Sequence, residues 1–263
     1  MPGIIQRLQE YFSLGERWAE PATIFAGIIW RNLRAGNLSI LWRPSVAGDE
    51  AFGKWWLDSK DGFYNYEKNA GVPELVAHAH GTVLDLGAGS GNQLYRMQAS
   101  QLKRVYGLES NPAFAEALSE AVKETGLEGV YTPIICSVED AEAELAREGV
   151  TPGTVDCVLS IQLLCSVGDP EALVKKMHSF LKPGGEFIFW EHKANESDWM
   201  TRIAQGIWTV LWAPVVGQCR LNQQTRKAIL AAADWDIVEF NVAEEPLDLM
   251  PRVWGRLKKK ADA

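Results

Sequence analysis

The segment Asp85–Gly91 carries the clearest chemical signal in the sequence. It reads Asp-Leu-Gly-Ala-Gly-Ser-Gly and follows the short apolar run Thr82–Leu86. Glycines let backbone N–H groups approach a ligand closely, and the N-terminus of a following helix favours a negative group. Dinucleotide-binding loops need a small residue at the sixth place from Gly87, where Asn92 stands, and no Gly-Lys-Ser/Thr follows as in a P-loop. The segment therefore predicts a ligand-binding loop of another kind.

A second candidate is Glu109, which ends the apolar run Arg104–Glu109, 24 residues after Asp85 (109 − 85). A carboxylate at this place can accept two hydrogen bonds from a ribose diol, and charged acceptors form the stronger bonds. NAD-binding proteins place an acid similarly, so Glu109 alone does not choose the cofactor. The alternative interpretation is a solvated glutamate at the end of a strand.

The elements that must position these residues alternate between strand and helix. Five such alternations predict an α/β fold, with a mostly parallel sheet, helices on both faces and ligands at the carboxyl ends of the strands. The predicted strands are Thr82–Leu86, Arg104–Glu109, Tyr131–Cys136, Val155–Ile161, Glu186–Glu191, Asp236–Val242 and Arg252–Lys258. The predicted helices are Asn92–Gln101, Ala113–Thr125, Ala141–Glu148, Pro170–Leu181 and Leu221–Ala233.

Two motifs resemble those of the Rossmann-like S-adenosylmethionine-dependent methyltransferases. Val83–Gly91 matches that family's apolar strand, acid and G-x-G-x-G loop, and Leu181–Phe189 resembles its L-x-P-G-G turn before the fifth strand. The resemblance implies seven strands, the last antiparallel, and S-adenosyl-L-methionine as cofactor. Many members have Asp where this chain has Ser137, so Glu139 or Asp140 could contact the adenine instead, or cap the next helix. The implied cofactor-binding residues are Asp85, Gly87, Ala88, Gly89, Gly91, Glu109, Ser110, Ser137, Val138, Glu139, Ser160, Ile161 and Gln162.

A narrower resemblance is to the methyltransferase-like protein seven family of membrane-associated alkyl-thiol methyltransferases. It is carried by Leu164–Val167, Trp190–His192 and Gly217–Thr225. It implies methyl transfer to a heteroatom of a lipophilic small molecule, with sulfur first and oxygen or nitrogen next. Two alternatives remain at this point: a protein that binds the cofactor without transferring a methyl group, and a nucleotide-dependent oxidoreductase. Asn92 and the Pro-Gly-Gly turn disfavour the oxidoreductase.

His192 is the candidate general base, because it ends the fifth predicted strand on the ligand side and titrates near neutral pH. Glu191 could orient it or face solvent, and His192 could instead bind a loop carbonyl. No metal site is expected, since His78 and His80 stand two apart without a carboxylate cluster. The cysteines are interpreted as buried apolar residues, with Cys219 the least secure of them.

The eleven tryptophans avoid the middle of the chain, with none between Trp56 and Trp190. This predicts an N-terminal helical extension, residues 1–56, before a cofactor-binding domain, residues 57–263, that contains a lid insertion, residues 193–220. Aromatic rings from the extension and the lid could line a cavity for a hydrophobic acceptor, or could only attach the cap to the sheet. The predicted substrate-lining residues are Trp55, Tyr64, Trp199, Trp208 and Trp212.

Charge and hydropathy bear on partners and location. The net charge of −8 argues against a nucleic-acid partner, because phosphate binding needs a basic face. The N-terminus lacks a signal-peptide pattern, which favours a cytoplasmic location. Ile4, Ile5, Leu8 and Phe12 nevertheless recur at helical spacing. Such a stripe either lies in a membrane interface, attaching the protein peripherally to an intracellular membrane, or packs on the protein's own core.

Overall fold

The computed structural model describes residues 2–261, which contain a seven-stranded sheet in the order β3-β2-β1-β4-β5-β7-β6. All neighbouring strands are parallel except that β7 runs antiparallel to both β5 and β6. The predicted sheet and its antiparallel last strand are therefore confirmed. The strands are β1 (Gly81–Leu86), β2 (Leu102–Glu109), β3 (Tyr131–Ile135), β4 (Val155–Ile161), β5 (Leu181–His192), β6 (Trp235–Ala243) and β7 (Arg252–Lys259).

Helices cover both faces of the sheet, and each face has its own apolar core. The short runs of the central strands are buried on both sides, as a parallel sheet requires. The α-helices within the described residues are α1 (Ile4–Arg34), α2 (Pro44–Asn69), α3 (Val72–Val76), α4 (Ala115–Glu124), α5 (Glu142–Arg147), α6 (Pro170–Phe180), α7 (Trp199–Trp212) and α8 (Thr225–Ala232). One core lies under α3 and α4, and the other under α5, α6 and α8.

Three predicted elements differ from the structure. The predicted helix Asn92–Gln101 is wrong, because the segment forms two single 3₁₀ turns, Leu94–Arg96 and Ala99–Gln101. It buries Leu94 and Met97, three residues apart, and uses its polar side chains in a buried network instead of an exposed helix face. Helix α8 begins at Thr225 and not at Leu221. Strand β5 begins at Leu181 and not at Glu186, so it includes Lys182–Gly185. These four residues have no partner in β4 and form a bulge, because Leu181 pairs with Val155 and Glu186 pairs with Cys157.

The N-terminal extension consists of two long helices that pack against each other. Helix α1 buries every seventh residue, namely Arg7, Leu14, Pro21 and Ile28. Helix α2 runs through the predicted boundary between residues 56 and 57, so the extension and the sheet domain share a continuous helix. No helix among residues 2–261 is long and apolar enough to cross a membrane.

Helix α7 lies within residues 193–220, the predicted lid insertion, and packs alongside α1. Arg7 donates two hydrogen bonds to Asp198, which also caps α7 through the Thr201 amide. Further along, the Trp208 indole donates to the Tyr11 carbonyl at 2.8 Å. Because the Arg7–Asp198 pair is buried and bidentate, it fixes the position of α1 on the lid.

Candidate active site

A pocket lies at the carboxyl ends of β1, β2 and β4, and the glycine loop forms its floor. The Gly87 and Ala88 amides donate to the Leu108 carbonyl at 2.9 and 3.1 Å, which holds the loop against β2. Gly87 and Gly89 have positive φ, a conformation that favours glycine. Gly91 does not line the pocket, because it packs against helix α4, where a Cβ would lie 2.7 Å from that of Ala121.

Asp85 at the end of β1 is held by a tyrosine that reaches across the neighbouring strand. The Tyr131 hydroxyl, from β3, donates to Asp85 at 2.9 Å. It passes over Gly107 of β2, where any Cβ would collide with the tyrosine ring. Burial raises the pKa of Asp85 to about 7, and the tyrosine hydrogen bond opposes this shift. Gly107 is thus the strand residue that lets the Tyr131 side chain cross β2 and reach Asp85.

Glu109 lies in the pocket as predicted, and its carboxylate is oriented by the backbone. One oxygen accepts from the Gly89 amide at 2.8 Å and the other from the Asn111 amide at 2.7 Å. Burial raises the pKa of Glu109, whereas the amides lower it. Each carboxylate oxygen keeps a second lone pair, so the group can still accept two ligand hydroxyls.

The ends of β3 and β4 supply most of the other predicted cofactor residues. Ser110, Val138, Glu139, Ile161 and Gln162 line the pocket, together with Asp85, Gly87, Ala88, Gly89 and Glu109.

Two further predicted cofactor residues are turned away from the pocket. Ser137 bonds the Glu139 carboxylate, and Ser160 donates to Glu191 at 2.8 Å. Neither lines the pocket, so both positions are corrected to supporting roles.

A buried polar network that sequence reasoning missed supports the pocket from α2. The Glu67 carboxylate accepts from Gln93, Arg96 and Gln162, which come from two distant loops. The Glu67 and Arg96 side chains are almost fully buried, and removing either one would leave an unpaired buried charge. Gln162 has a φ of 61°, and the only other non-glycine residue with positive φ among residues 2–261 is Gln218, which also lines the pocket. Backbone strain of this kind tends to gather at functional sites.

The aromatic residues of the pocket are not the predicted ones. Phe52 and Trp56 of α2 line it, and the Trp56 indole donates to Ser90 at 3.0 Å. Trp55, one residue earlier, does not line the pocket, and its indole donates to Glu20 of α1 at 3.2 Å. Successive helix residues point about 100° apart, so α2 directs only one of the two tryptophans at the pocket.

The predicted substrate-lining set is therefore corrected. Tyr64 stacks on the Arg96 guanidinium with 4.4 Å between Cζ and the ring centre. Trp199 is 70% exposed on the lid. Trp208 bonds α1, and Trp212 is buried in the core beneath the lid. These four rings and Trp55 stay outside the pocket, and three of them, Trp55, Trp208 and Trp212, instead pack in the apolar cluster shared by α1, α2 and α7.

The upper wall of the pocket is a close contact between α2 and the segment that follows α7. Gly217 lies against the Phe52 ring, where a Cβ would come within 2.9 Å. Gly48 lies directly against the Pro214 carbonyl, where a Cβ would collide with the backbone. Both contacts need glycine, and together they bring Gln218 to the pocket.

The two predicted catalytic residues lie behind the pocket wall and not on it. Glu191 is fully buried and accepts from Ser160 and from the Leu163 and Leu164 amides. Burial raises its pKa to about 7, which these hydrogen bonds oppose. Glu191 thus holds the loop after β4 through the Leu163 and Leu164 amides. Its predicted catalytic role is corrected to that of a positioning residue.

His192 also faces away from the pocket. Its Nε2 lies 3.1 Å from the Cys219 sulfur, and its ring is 3% exposed. The partner of the His192 ring is therefore the Cys219 thiol and not a loop carbonyl, the alternative given above. The structure brings a third side chain, Cys165, into this cluster.

The pocket residues fit the groups that S-adenosylmethionine carries. The Asp49, Glu109 and Glu139 side chains line the pocket without an ion-pair partner among the described residues, and their carboxylates suit a ligand with a sulfonium and an ammonium group. The Asn92 amide nitrogen is buried at the pocket without a partner among the described residues, so it is a free donor for a carboxylate. Bound there, the cofactor would supply an electrophilic methyl group.

Comparison with known proteins assigns the chain to a family. Residues 61–239 match the family described as "Methyltransferase domain". The chain belongs to this methyltransferase family. Membership confirms the predicted enzyme class and its S-adenosylmethionine cofactor, and the oxidoreductase alternative falls away.

Individual relatives differ in the acceptor they methylate. The chain is 26% identical to human thiol S-methyltransferase TMT1B over 171 residues, which cover 64% of this chain and 66% of that protein. It is 32% identical to the ubiquinone biosynthesis O-methyltransferase of Paraburkholderia xenovorans over 140 residues, covering 52% of this chain and 56% of that protein. The structure of an O-methyltransferase family protein from Burkholderia thailandensis superposes with a TM-score of 0.60 at 16% identity, covering 92% of this chain and 72% of the other, and shares the fold.

Proposed function

We propose that this protein transfers the methyl group of S-adenosylmethionine to the sulfur of a lipophilic thiol. The observation that carries the proposal is the position of His192, whose imidazole is sealed against Cys219 behind the pocket wall. A base in that position cannot take a proton from an acceptor in the pocket. The carboxylates that border the pocket are weak bases, so the acceptor that reacts most easily there is one that ionises readily. A thiol, whose pKa is near 8.5 in a cysteine side chain, ionises far more readily than an aliphatic alcohol.

The apolar part of the pocket lining suits an apolar acceptor. It includes Phe52, Trp56, Leu163 and Val167, and Gly217 and Gln218 line the same pocket. Methyl transfer from a sulfonium is an in-line displacement, so holding the thiolate and the methyl carbon together in a dry site provides much of the rate. The human relative is a thiol S-methyltransferase, which agrees with this assignment.

The test compares acceptors that differ in one atom. The purified protein is incubated with methyl-labelled S-adenosylmethionine and with hexanethiol, hexanol or hexylamine, and labelled product is counted. We expect label in the thioether, at a rate that rises about tenfold per pH unit below the pKa of the thiol. A panel of phenols tests the oxygen chemistry of the bacterial relative.

Each outcome decides the assignment. If a phenol gives labelled ether and the thiol gives no labelled thioether, the acceptor atom is oxygen and the thiol assignment is wrong. No labelled product from any acceptor, in a protein that binds S-adenosylhomocysteine, would favour the rival that binds the cofactor without methyl transfer.

The proposal also includes docking of the lid on a membrane surface. Side chains of α7 on one helical face are exposed, and so are those of α1 on the face away from its buried heptad positions. Because α1 and α7 pack side by side, we infer that the two exposed stripes join into one apolar surface, the helix-pair surface, and docking on a membrane would bring lipophilic acceptors near α7. The surface consists of Ile4, Ile5, Leu8, Phe12, Trp199, Ile203, Ile207 and Val210.

Flotation with phosphatidylcholine vesicles tests this docking. Phe12→Ser combined with Ile207→Ser should abolish co-flotation, since both side chains are more than 60% exposed and contribute only to the surface. The matched control is Ile237→Ser, an equally exposed isoleucine on the edge strand β6. Co-flotation that is equal for the wild type, the double variant and the control would reject the helix-pair surface as the docking site.

A further inference from the structure

Three side chains that the proposed reaction does not use meet behind the pocket wall. Cys165 follows β4, His192 ends β5, and Cys219 follows α7, so distant parts of the chain supply them. One ligand atom from each lies within 4.8 Å of the other two, and all three residues are more than 90% buried. The cluster was invisible in the sequence because its members are 27 residues apart with no Cys-x-x-Cys spacing.

One backbone hydrogen bond joins the segments of the two cysteines, and a second closes the turn that carries Cys219. The Arg220 amide donates to the Cys165 carbonyl at 2.9 Å, and the Cys219 amide donates to the Val216 carbonyl at 2.9 Å. Apolar side chains surround the cluster, including Leu14, Trp212 and Leu221 from three different elements. The second ring nitrogen of His192, Nδ1, is buried without a partner among the described residues.

We propose that Cys165, His192 and Cys219 bind a thiophilic divalent cation, with Zn²⁺ as the first candidate. Two thiolates and a neutral imidazole around a divalent cation carry no net charge, which suits the apolar surroundings of this cluster. Zinc–ligand bonds of about 2.0 to 2.3 Å place tetrahedral ligand atoms about 3.5 to 3.8 Å apart. The three ligand atoms lie within 4.8 Å of one another and the distance from His192 Nε2 to Cys219 Sγ is 3.1 Å, so small side-chain adjustments bring the cluster to this geometry. Three protein ligands leave the fourth position to a ligand from outside the cluster.

The bound cation would fix one wall of the cofactor pocket. Ser166 and Val167 follow Cys165, Gly217 and Gln218 precede Cys219, and all four line the pocket. A cation shared by both cysteines links these two segments to the end of β5. This metal-site proposal does not depend on the proposed acceptor. It applies equally to an enzyme that methylates a thiol and to one that methylates an alcohol.

Metal content and cobalt spectroscopy test the site. The full chain, expressed with zinc and purified under a reductant, should hold one equivalent of zinc by plasma mass spectrometry. Cys165→Ser and Cys219→Ser should each reduce this to less than a tenth, whereas Cys136→Ser, a half-buried cysteine outside the cluster, should retain it. Chelated wild-type protein titrated with Co²⁺ should develop thiolate-to-cobalt absorption that saturates at one equivalent.

The cobalt titration keeps the test decisive even if the serine variants do not fold, because it uses the wild type. Reduced, folded wild-type protein with four titratable thiols that gives no thiolate-to-cobalt band would overturn the proposal. Zinc retained equally by both serine variants would also overturn it, as would a Cys165–Cys219 disulfide in protein freshly isolated under reductant.

Discussion

Replacement of Glu109 by alanine tests the assigned cofactor position most directly. The carboxylate is held by the Gly89 and Asn111 amides with its remaining lone pairs free. Each hydrogen bond from a ribose hydroxyl to a charged acceptor contributes about 1.5 to 3 kcal/mol. Loss of one or both therefore weakens binding by about 1.5 to 6 kcal/mol, which corresponds to roughly 10- to 10⁴-fold in Kd.

Calorimetric titration with S-adenosylhomocysteine measures this loss. Glu109→Gln keeps the shape and one acceptor oxygen, so its affinity should fall between those of the wild type and Glu109→Ala. Glu120→Ala removes the same charge from an exposed position on α4 and should change binding by less than about 0.5 kcal/mol. Wild-type affinity in a Glu109→Ala protein whose melting curve is cooperative would refute the placement of the ribose at this carboxylate.

Three further predictions concern stability. Gly107→Ala should lower the free energy of unfolding by about 1 to 3 kcal/mol in urea titrations, because its Cβ collides with Tyr131; a loss unchanged in a Tyr131→Leu background would contradict this cause. The pKa of Asp85 in the folded protein is about 7, above its ordinary value of 3.8. Between these two pH values the folded state binds a proton that the unfolded state has lost, so the free energy of unfolding falls as the pH rises from 4 to 7. Asp85→Asn should remove about 4 kcal/mol of that fall, and parallel pH profiles for variant and wild type would be the contrary result. Gln218→Gly should melt higher than Gln218→Ala by the equivalent of about 1 kcal/mol, since only glycine adopts a φ of 61° freely, and the reverse order would show the backbone to be unstrained.

The cofactor half of the site was predictable because its signals are local. The glycine loop and Glu109 follow their strands directly, and the fold places consecutive strand ends on one edge of the sheet. The other half depends on contacts between distant residues. Glu67 meets Gln162 across 95 positions, and no spacing rule connects a helix residue with the loop after β4.

The errors have the same origin. Trp55 and Trp56 are adjacent and chemically identical, and only the rotation of α2 decides which of them faces the pocket. His192 ends the expected strand, but its ring direction depends on where the chain returns with Cys219. Composition predicted aromatic flanks on both sides of the sheet segment, whereas tertiary packing determined which side chains point inward.

The glycine contacts between α2 and the segment after α7 have a kinetic consequence. Gly48 meets the Pro214 carbonyl and Gly217 meets the Phe52 ring without intervening flexible side chains. Neither glycine has a side chain that could swing aside, so only the Phe52 ring or a movement of the main chain can widen the pocket on this side. Separation of the main chain takes microseconds to milliseconds, so exchange of the cofactor through this side is tied to the movement of α2 against the segment after α7.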